Sequence, residues 1–293
     1  MILLDGKKLS KEIKKEIKEE VDSYLSKKMR APKLVTVLVG DDKASQSYVR
    51  SKIKSCGEVG FLSENYNLPE NTKEEELLDL ISKLNEDSTV DGFIVQLPLP
   101  KHIDEEKVLL SIDPTKDVDG FHPYNIGKLL LGIETFTSAT PLGILEMLKR
   151  YNIKTESKDI AVIGRSNIVG KPIGIALVQK MYPGNASVSY YHSYTKDLKN
   201  KLLRADIIIA AIGKAKFVTE DMVKEGAVII DVGMNSVYDE SLGKSKLVGD
   251  VDFENVKSKV DYITPVPGGV GLMTVASLML NTLKSYKLRN GIY

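Results

Sequence analysis

The chain has 293 residues, 42% of them hydrophobic, with 41 Lys and Arg against 40 Asp and Glu for a formal charge of +1. That is enough apolar material for one large or two medium domains, and the balanced charge excludes the basic field of a nucleic-acid or anionic-membrane binder. A single cysteine, Cys56, and three histidines without ligand spacing, His102, His122 and His192, exclude an intrachain disulfide and a cysteine or histidine metal cage. The opening apolar run Ile2-Leu3-Leu4 is too short for a signal peptide, and no stretch is long enough to span a bilayer. The expectation is a cytoplasmic protein with no membrane and no metal.

Lys7 to Leu25 has helical spacing, with Leu9, Ile13, Ile17 and Val21 on one stripe. Leu34 to Val39 is a β-rich run closed by Gly40-Asp41-Asp42, so a strand and a turn follow. Ala44 to Gly57 reads as a helix with Val49, Ile53 and Cys56 inward. Tyr48 and Lys52 are four apart and share a face at the edge of that stripe. A ring and an amine are thus presented together beside a strand end, where open α/β sheets bind ligands. Taken alone, an exposed Tyr and Lys is the plainer reading of this pair.

Phe61 to Leu68 fits a further strand, and Glu74 to Leu84 a helix with Leu77, Leu80, Ile81 and Leu84 inward. Gly92 to Leu97 is a buried strand ending in Pro98-Leu99-Pro100, with the polar Gln96 near its C-terminal end. Such a residue needs a hydrogen-bond partner, in a loop backbone or in a ligand. A helix ending over Val108 to Ile112 leads into Asp113 to Pro123, a loop dense in turn formers that holds three carboxylates, Asp113, Asp117 and Asp119. Carboxylates so grouped suit metal or acid–base work, and turn chemistry also explains them. Thr137 to Thr140 precedes a helix over Leu142 to Tyr151, where the domain crossing is placed.

Ile160 to Leu177 organises the second half. Ile160 to Ile163 fits a buried strand, Gly164 breaks it, and Pro172 suits the first turn of a helix. Gly170 and Gly174 remove side chains where a helix start approaches a ligand or the strand behind it. Strand, glycine turn and helix make an anion site, because free N–H groups and the positive end of the dipole point at the bound group. A Walker loop is excluded: five residues separate Gly164 from Gly170, and Pro172 follows Lys171 where a magnesium-binding hydroxyl would stand. The close second glycine of the dinucleotide fingerprint is replaced by Arg165-Ser166. A nucleotide site and an ordinary strand-to-helix turn both remain open on this stretch alone.

Ser187 to Tyr191 is the second strand of this half, ending in His192-Ser193. An NAD site places a carboxylate near that strand end to bind the ribose hydroxyls. None stands there, and Arg165 and Ser193 suit a 2′-phosphate, which favours NADP over NAD. Ala205 to Gly213 and Ala227 to Asp231 are further strands, with a short edge strand over Leu247 to Val251. The alternation predicts a parallel sheet. Ile263 to Gly271, with two prolines and three glycines, is irregular and leads into a helix over Met273 to Tyr286.

Five segments now fall into one pattern: Tyr48-Val-Arg-Ser-Lys52, Asp91 to Pro100, Lys116 to Pro123, Gly164 to Pro172 and Ile263 to Gly271. In their order, over nearly the whole length, the chain closely resembles the bifunctional methylenetetrahydrofolate dehydrogenase/methenyltetrahydrofolate cyclohydrolase family, the FolD type. The resemblance implies two α/β domains joined by two long helices with a cleft between. Residues 1–140, completed by the C-terminal helix 272–293, form the folate-binding catalytic domain. Residues 141–271 form the Rossmann-type NADP-binding domain. It implies a homodimer through the cofactor domain. It also implies hydride transfer from 5,10-methylenetetrahydrofolate to NADP, then hydrolysis of the methenyl cation to 10-formyltetrahydrofolate.

The resemblance assigns proton transfer in the water step to Lys52, held by Gln96, with Tyr48 stacking on the folate and Asp119 accepting from the pterin. An amine charged at neutral pH is a poor base; a cationic substrate beside it and partial burial favour its neutral form. Val49, Arg50, Ser51, Val95 and Leu97 complete the folate site, opposite Pro267, Gly268, Gly269, Val270, Gly271, Leu272, Met273, Thr274 and Val275. Arg165, Ser166 and Ser193 take the 2′-phosphate, and Gly164 and Met234 contact the rest of the cofactor. Departures from the family pattern are Leu272 for a proline, Ser138-Ala139 for Pro-Cys, and Met234 for an isoleucine. Two rival readings are another NADP dehydrogenase, which needs a second cationic clamp in place of the Asp119 loop, and a nucleotide sensor, which does not need Lys52 or Gln96.

Overall fold

The computed structural model describes residues 1–239 and 243–292. In chain order these form β1 (Ile2–Leu3), α1 (Gly6–Ser26), β2 (Lys33–Val39), α2 (Lys43–Val59), β3 (Leu62–Leu68), α3 (Glu74–Glu86), β4 (Gly92–Val95), α4 (Glu105–Ser111), α5 (Pro123–Leu130) and α6 (Ala139–Arg150). Then come β5 (Asp159–Ile163), α7 (Gly170–Leu177), β6 (Ser187–Tyr191), α8 (Leu198–Leu202), β7 (Ile207–Ala210), β8 (Val228–Asp231), β9 (Asn235–Asp239), β10 (Lys244–Val248), α9 (Phe253–Val256), β11 (Tyr262–Ile263) and α10 (Val270–Arg289). The chain divides into two compact units, one of residues 11–139 and 275 onward, the other of Met1–Ser10 and Thr140–Thr274. Among the described residues, no helix is long and apolar enough to cross a membrane.

The first unit is built on a parallel three-stranded sheet in the order β3-β2-β4. Every residue of β2 after Lys33 is buried, because both faces of the strand are covered; this is why its sequence shows a continuous apolar run rather than alternation. On one face Val35, Val37 and Val39 pack with Leu77, Ile81 and Leu84 of α3 and Val108 of α4. The part of α10 in this unit is pinned by polar contacts. Tyr286 donates to the Arg30 carbonyl at 2.8 Å, and the Arg30 guanidinium lies 5.1 Å from the Tyr286 ring centre. Arg30 also grips the fully buried Asp91 through two bonds of 2.6 Å. Burying Asp91 is tolerable because its charge is paired and bonded from both oxygens.

The second unit carries a six-stranded parallel sheet in the order β1-β11-β8-β7-β5-β6. Its core joins Ala161, Ile163, Ile208, Ala210 and Ile229 of the strands to Val218, Val223 and Val256. From β5 the chain first adds β6 on one side, then returns to add β7 on the other. The end of β5 is therefore the topological switch point, the place where such sheets bind ligands, and the Gly164 turn stands there.

Several elements differ from the expectation. Ile2 and Leu3, not read as a strand in the sequence, pair with Tyr262 and Ile263 at the edge of the six-stranded sheet. Two-residue strands carry too little pattern to be seen in a sequence. The stretch from Leu247 is not an edge of the main sheet: β10 pairs with β9 in a separate antiparallel hairpin. Helix α5 was hidden behind the turn-rich loop before it; His122 caps it by accepting from the Tyr124 N–H at 3.0 Å.

Candidate active site

In the first unit, α2 carries Tyr48 and Lys52 one turn apart. Asp42 starts this helix by accepting from the Ser45 N–H at 2.7 Å, and Gly60 ends it at φ 79°, a left-handed stop natural to glycine. Val49, Cys56 and Val59 are buried, while Tyr48 is 44% exposed. The core stripe therefore fixes the rotation of the helix and leaves ring and amine at its edge. Burial pushes the Cys56 thiol up to about 12, so it is a core residue and not a nucleophile.

The Lys52 Nζ donates to the Gln96 Oε1 at 3.0 Å. Gln96 follows β4, and its Nε2 donates to the Leu97 carbonyl at 2.7 Å. Of the partners anticipated for Gln96, a loop backbone is present in the Leu97 carbonyl, and Lys52 takes its other end. Its amide orientation is set by that network.

The turn-rich loop separates its three carboxylates by use. Asp113 Oδ1 accepts from the Thr115 N–H and hydroxyl, both at 2.8 Å. Asp117 is buried and accepts from the N–H groups of Gly120, Phe121 and His122 and from Asn125 Nδ2. Asp119 is only partly buried, and no described residue donates to its carboxylate. Burial pushes its carboxyl up, Lys52 pulls it down, and Asp117 pushes it up again. Its neighbours Asp113 and Asp117 are spent on the turn, while Asp119 is not.

Of the other residues anticipated around the folate, Val95 and Leu97 flank Gln96, with Val95 buried. Arg50 and Ser51 are exposed on α2. Val49 is buried, and with Arg50 it lines a separate cavity of about 600 Å³ between α2, β2 and β3. Of the residues that shape the Asp119 loop, Asn281 was not singled out in the sequence. Asn281 had a signal: an amide inside the apolar Met279–Leu283 run. The Ser138 hydroxyl, one of the departures from the family pattern, donates to the Gly120 carbonyl at 2.9 Å.

In the second unit, Gly164 sits at φ 127°, and a Cβ there would lie 2.2 Å from the Ala211 carbonyl oxygen. A Cβ on Gly170 would lie 2.6 Å from the Gly164 carbonyl oxygen. Both glycines are required by close backbone approach at the switch point. Gly174 instead makes room for the Tyr190 hydroxyl, 2.2 Å from where its Cβ would stand. The Ser166 Oγ accepts from the Val169 and Gly170 N–H groups at 3.2 Å each, satisfying the start of α7. Arg165 is exposed, and no described residue accepts from its guanidinium. Ser193 is exposed just past β6, with no carboxylate at that strand end. This donor set fits a phosphorylated dinucleotide.

Met234 is 47% exposed after β8. The Pro267 to Met273 stretch of this unit is tightly held: Gly268 lies at φ 108° and accepts from the Lys7 N–H at 3.1 Å. A Cβ on Gly6 would fall 2.1 Å from the Gly269 oxygen. Met273 is buried, Leu272 is 41% exposed, and a Cβ on Gly271 would meet the Met234 sulfur at 3.4 Å. Thr274 shares a 2.9 Å hydroxyl contact with Thr140. Val275, the next residue of α10, is partly buried.

Beside this end of the sheet two buried acids lock the backbone. Asp231 accepts from the N–H groups of Gly233, Asp250 and Val251, and Asp250 accepts from those of Ile212, Gly213 and Lys214. Gly249 and Gly233 clear the space: a Cβ at either would lie 1.8 Å or 2.2 Å from the facing carboxylate. Among the described residues, no group of three or more His, Cys, Asp or Glu could hold a metal ion.

Residues 4–119 match the family profile of the tetrahydrofolate dehydrogenase/cyclohydrolase catalytic domain, and residues 138–290 that of the same family's NAD(P)-binding domain. The bifunctional protein FolD of Porphyromonas gingivalis is 54% identical over 99% of this chain and 98% of its own. The crystal structure of the bifunctional FolD methylenetetrahydrofolate dehydrogenase/cyclohydrolase from Campylobacter jejuni superposes with a TM-score of 0.92 at 51% identity, covering 99% of both chains. That of the Trypanosoma brucei enzyme, complexed with NADP cofactor and an inhibitor, has a TM-score of 0.91 at 37% identity, over 98% of this chain and 97% of that one.

Proposed function

The chain belongs to the tetrahydrofolate dehydrogenase/cyclohydrolase family, and from that premise we propose that it carries out both reactions: NADP-dependent oxidation of 5,10-methylenetetrahydrofolate to the methenyl form, and hydrolysis of that form to 10-formyltetrahydrofolate. The observation that carries this reading is the Lys52–Gln96 bond of 3.0 Å beside an unbonded Asp119 carboxylate. When bound, NADP supplies the acceptor for the hydride.

The chain's own part in the oxidation is binding and orientation. A nitrogen lone pair on the folate stabilises the cation as it forms, so no strong base is needed and positioning dominates. Asp119 accepts from the amino and ring N–H groups of the pterin. Tyr48, whose ring is exposed one turn before Lys52, stacks on the folate. In the second unit Arg165 and Ser193 bind the 2′-phosphate. Ser166 joins them: its oxygen is taken up by the start of α7, which leaves its hydrogen to donate. Gly164 and Met234 contact the rest of the cofactor.

The hydrolysis needs a proton to move. Water adds to the methenyl carbon and gives up a proton, which Lys52 takes in its neutral form. The carbon–nitrogen bond to the pterin then breaks as the carbinol hydroxyl releases its proton to solvent and becomes the formyl carbonyl; the proton held by Lys52 passes to that nitrogen, and the formyl group stays on the other. Gln96 keeps Lys52 in place throughout, its own amide fixed by the Leu97 carbonyl. We also propose a homodimer. The β9–β10 hairpin supports it, since it exposes Val237, Tyr238 and Leu247 at 37%, 64% and 43%.

The test is an absorbance time course of protein, methylenetetrahydrofolate and NADP. Formation of NADPH with a methenyl intermediate that decays to the 10-formyl product is expected. Absence of NADPH formation contradicts the proposal.

A further inference from the structure

The backbone on both sides of Asp119 is held by buried side chains from three separate segments. Asn281, on α10 and 3% exposed, donates through Nδ2 to the Val118 carbonyl at 2.8 Å and to the Thr137 carbonyl at 2.9 Å. Ser138, fully buried, donates to the Gly120 carbonyl at 2.9 Å. The peptide carbonyls immediately before and after Asp119 are therefore each taken by a side chain distant in sequence. Asp117 collects the next three N–H groups, from Gly120 to His122, at 3.1, 3.3 and 2.8 Å.

Packing closes the same cradle. Gly120 turns the chain at φ 71°, and a Cβ there would lie 2.7 Å from the Ser138 N. A Cβ on Gly92 would fall 2.3 Å from a Val118 methyl, so the loop sits directly on β4. In this cradle the Val118 and Gly120 carbonyls and the Asp117 carboxylate have partners, while the Asp119 carboxylate has none among the described residues. A buried amide with two acceptors 163 and 144 residues away is costly to strip of its partners and rigid when satisfied.

We propose that Asn281, supported by Ser138, is a positioning residue that presents the Asp119 carboxylate to the substrate in its bound orientation. This rests on the reading of Asp119 as the pterin acceptor. Asn281 does not touch substrate; it acts on the direction of the Asp119 side chain through the Val118 carbonyl. The loop then enters the complex already ordered, and binding does not have to order it.

The experiment is a double-mutant cycle on the full chain, reading KM for methylenetetrahydrofolate at saturating NADP alongside KM for NADP. Asn281→Leu removes both donors at similar volume and is expected to raise the folate KM about tenfold while leaving the NADP KM unchanged. In the Asp119→Ala background the same change is expected to raise the folate KM less than about twofold, because the group being aimed is gone. A merely structural role gives the same factor in both backgrounds, and that additivity overturns the proposal. Ser138→Ala, a smaller change, repeats the cycle if Asn281→Leu does not fold, and no change in its folate KM likewise overturns the proposal. If Asp119→Ala alone leaves the folate KM unchanged, the reading of Asp119 fails and this proposal fails with it.

Discussion

The Lys52 Nζ and the Gln96 amide oxygen lie 3.0 Å apart, and the far end of the same amide is committed to the Leu97 carbonyl at 2.7 Å. Turning its nitrogen toward Lys52 would lose both bonds, with donor facing donor at Lys52 and acceptor facing acceptor at the Leu97 carbonyl. The amide is therefore a fixed acceptor for the amine. Gln96→Met keeps length and removes the acceptor, so Lys52 loses its restraint. Hydrolysis of methenyltetrahydrofolate is expected to fall about tenfold or more, with oxidation less affected. Equal losses in the two steps, measured separately, would assign Gln96 to binding alone.

Asp119→Ala is expected to weaken folate binding and slow both reactions, since both use the same bound substrate. Charge-assisted bonds to a carboxylate contribute about 1.5–3 kcal/mol each. Calorimetric titration with a folate inhibitor measures this directly. A variant that binds the inhibitor as tightly as the parent would remove Asp119 from the site.

Arg165→Ala is expected to raise the KM for NADP far more than that for NAD. Only NADP carries the 2′-phosphate, and losing one charge-assisted contact to it costs about 1.5–3 kcal/mol. Parallel kinetics with the two cofactors decide it, and equal effects on both would sink the assignment.

The buried Asp231 predicts a pH dependence in the second unit. Burial raises its carboxyl to about 6, three backbone N–H groups pull it down, and the facing Asp250 carboxylate pushes it up. An acid whose pKa rises on folding stabilises the fold below its unfolded value, and that contribution is lost as pH rises through the folded value. Here the window runs from about 4 to 6, and at about 1.4 kcal/mol per pKa unit the contribution reaches about 3 kcal/mol. Asp231→Asn should thus compare better with the parent at pH 7.5 than at pH 4.5, as read by urea unfolding midpoints. A difference between the two proteins that does not change with pH would contradict it.

How far the sequence could be read depended on how each feature is encoded. Long apolar patterns such as Leu34–Val39 and the stripe of α1 announced their elements, and Ser187–Tyr191 was bounded correctly because turn formers flank it. The strands of Ile2–Leu3 and Tyr262–Ile263 carry no pattern of their own; only their pairing makes them strands. Tyr48, Lys52, Gln96 and Asp119 stand out as polar residues at the edge of an apolar run or in a turn, but the pattern alone leaves Tyr48 and Lys52 an exposed pair, and the roles of all four come only from the family resemblance. The division of labour among Asp113, Asp117 and Asp119 could not, since it is decided by which N–H groups fold back onto which carboxylate. The buried lock of Asp231 and Asp250 was equally invisible, because it joins strand ends that are neighbours only in the folded sheet.

The most direct test of the account is the fate of the methenyl species in a Lys52→Met protein. Methionine keeps the stem and its packing while deleting the amine that takes the proton from water, and such acid–base help is typically worth ~10²–10⁴-fold. Given methylenetetrahydrofolate and NADP, the variant is expected to form the methenyl species and accumulate it, visible as persistent methenyl absorbance with little 10-formyl product. Normal hydrolysis of added methenyltetrahydrofolate by the folded variant would contradict the role assigned to Lys52.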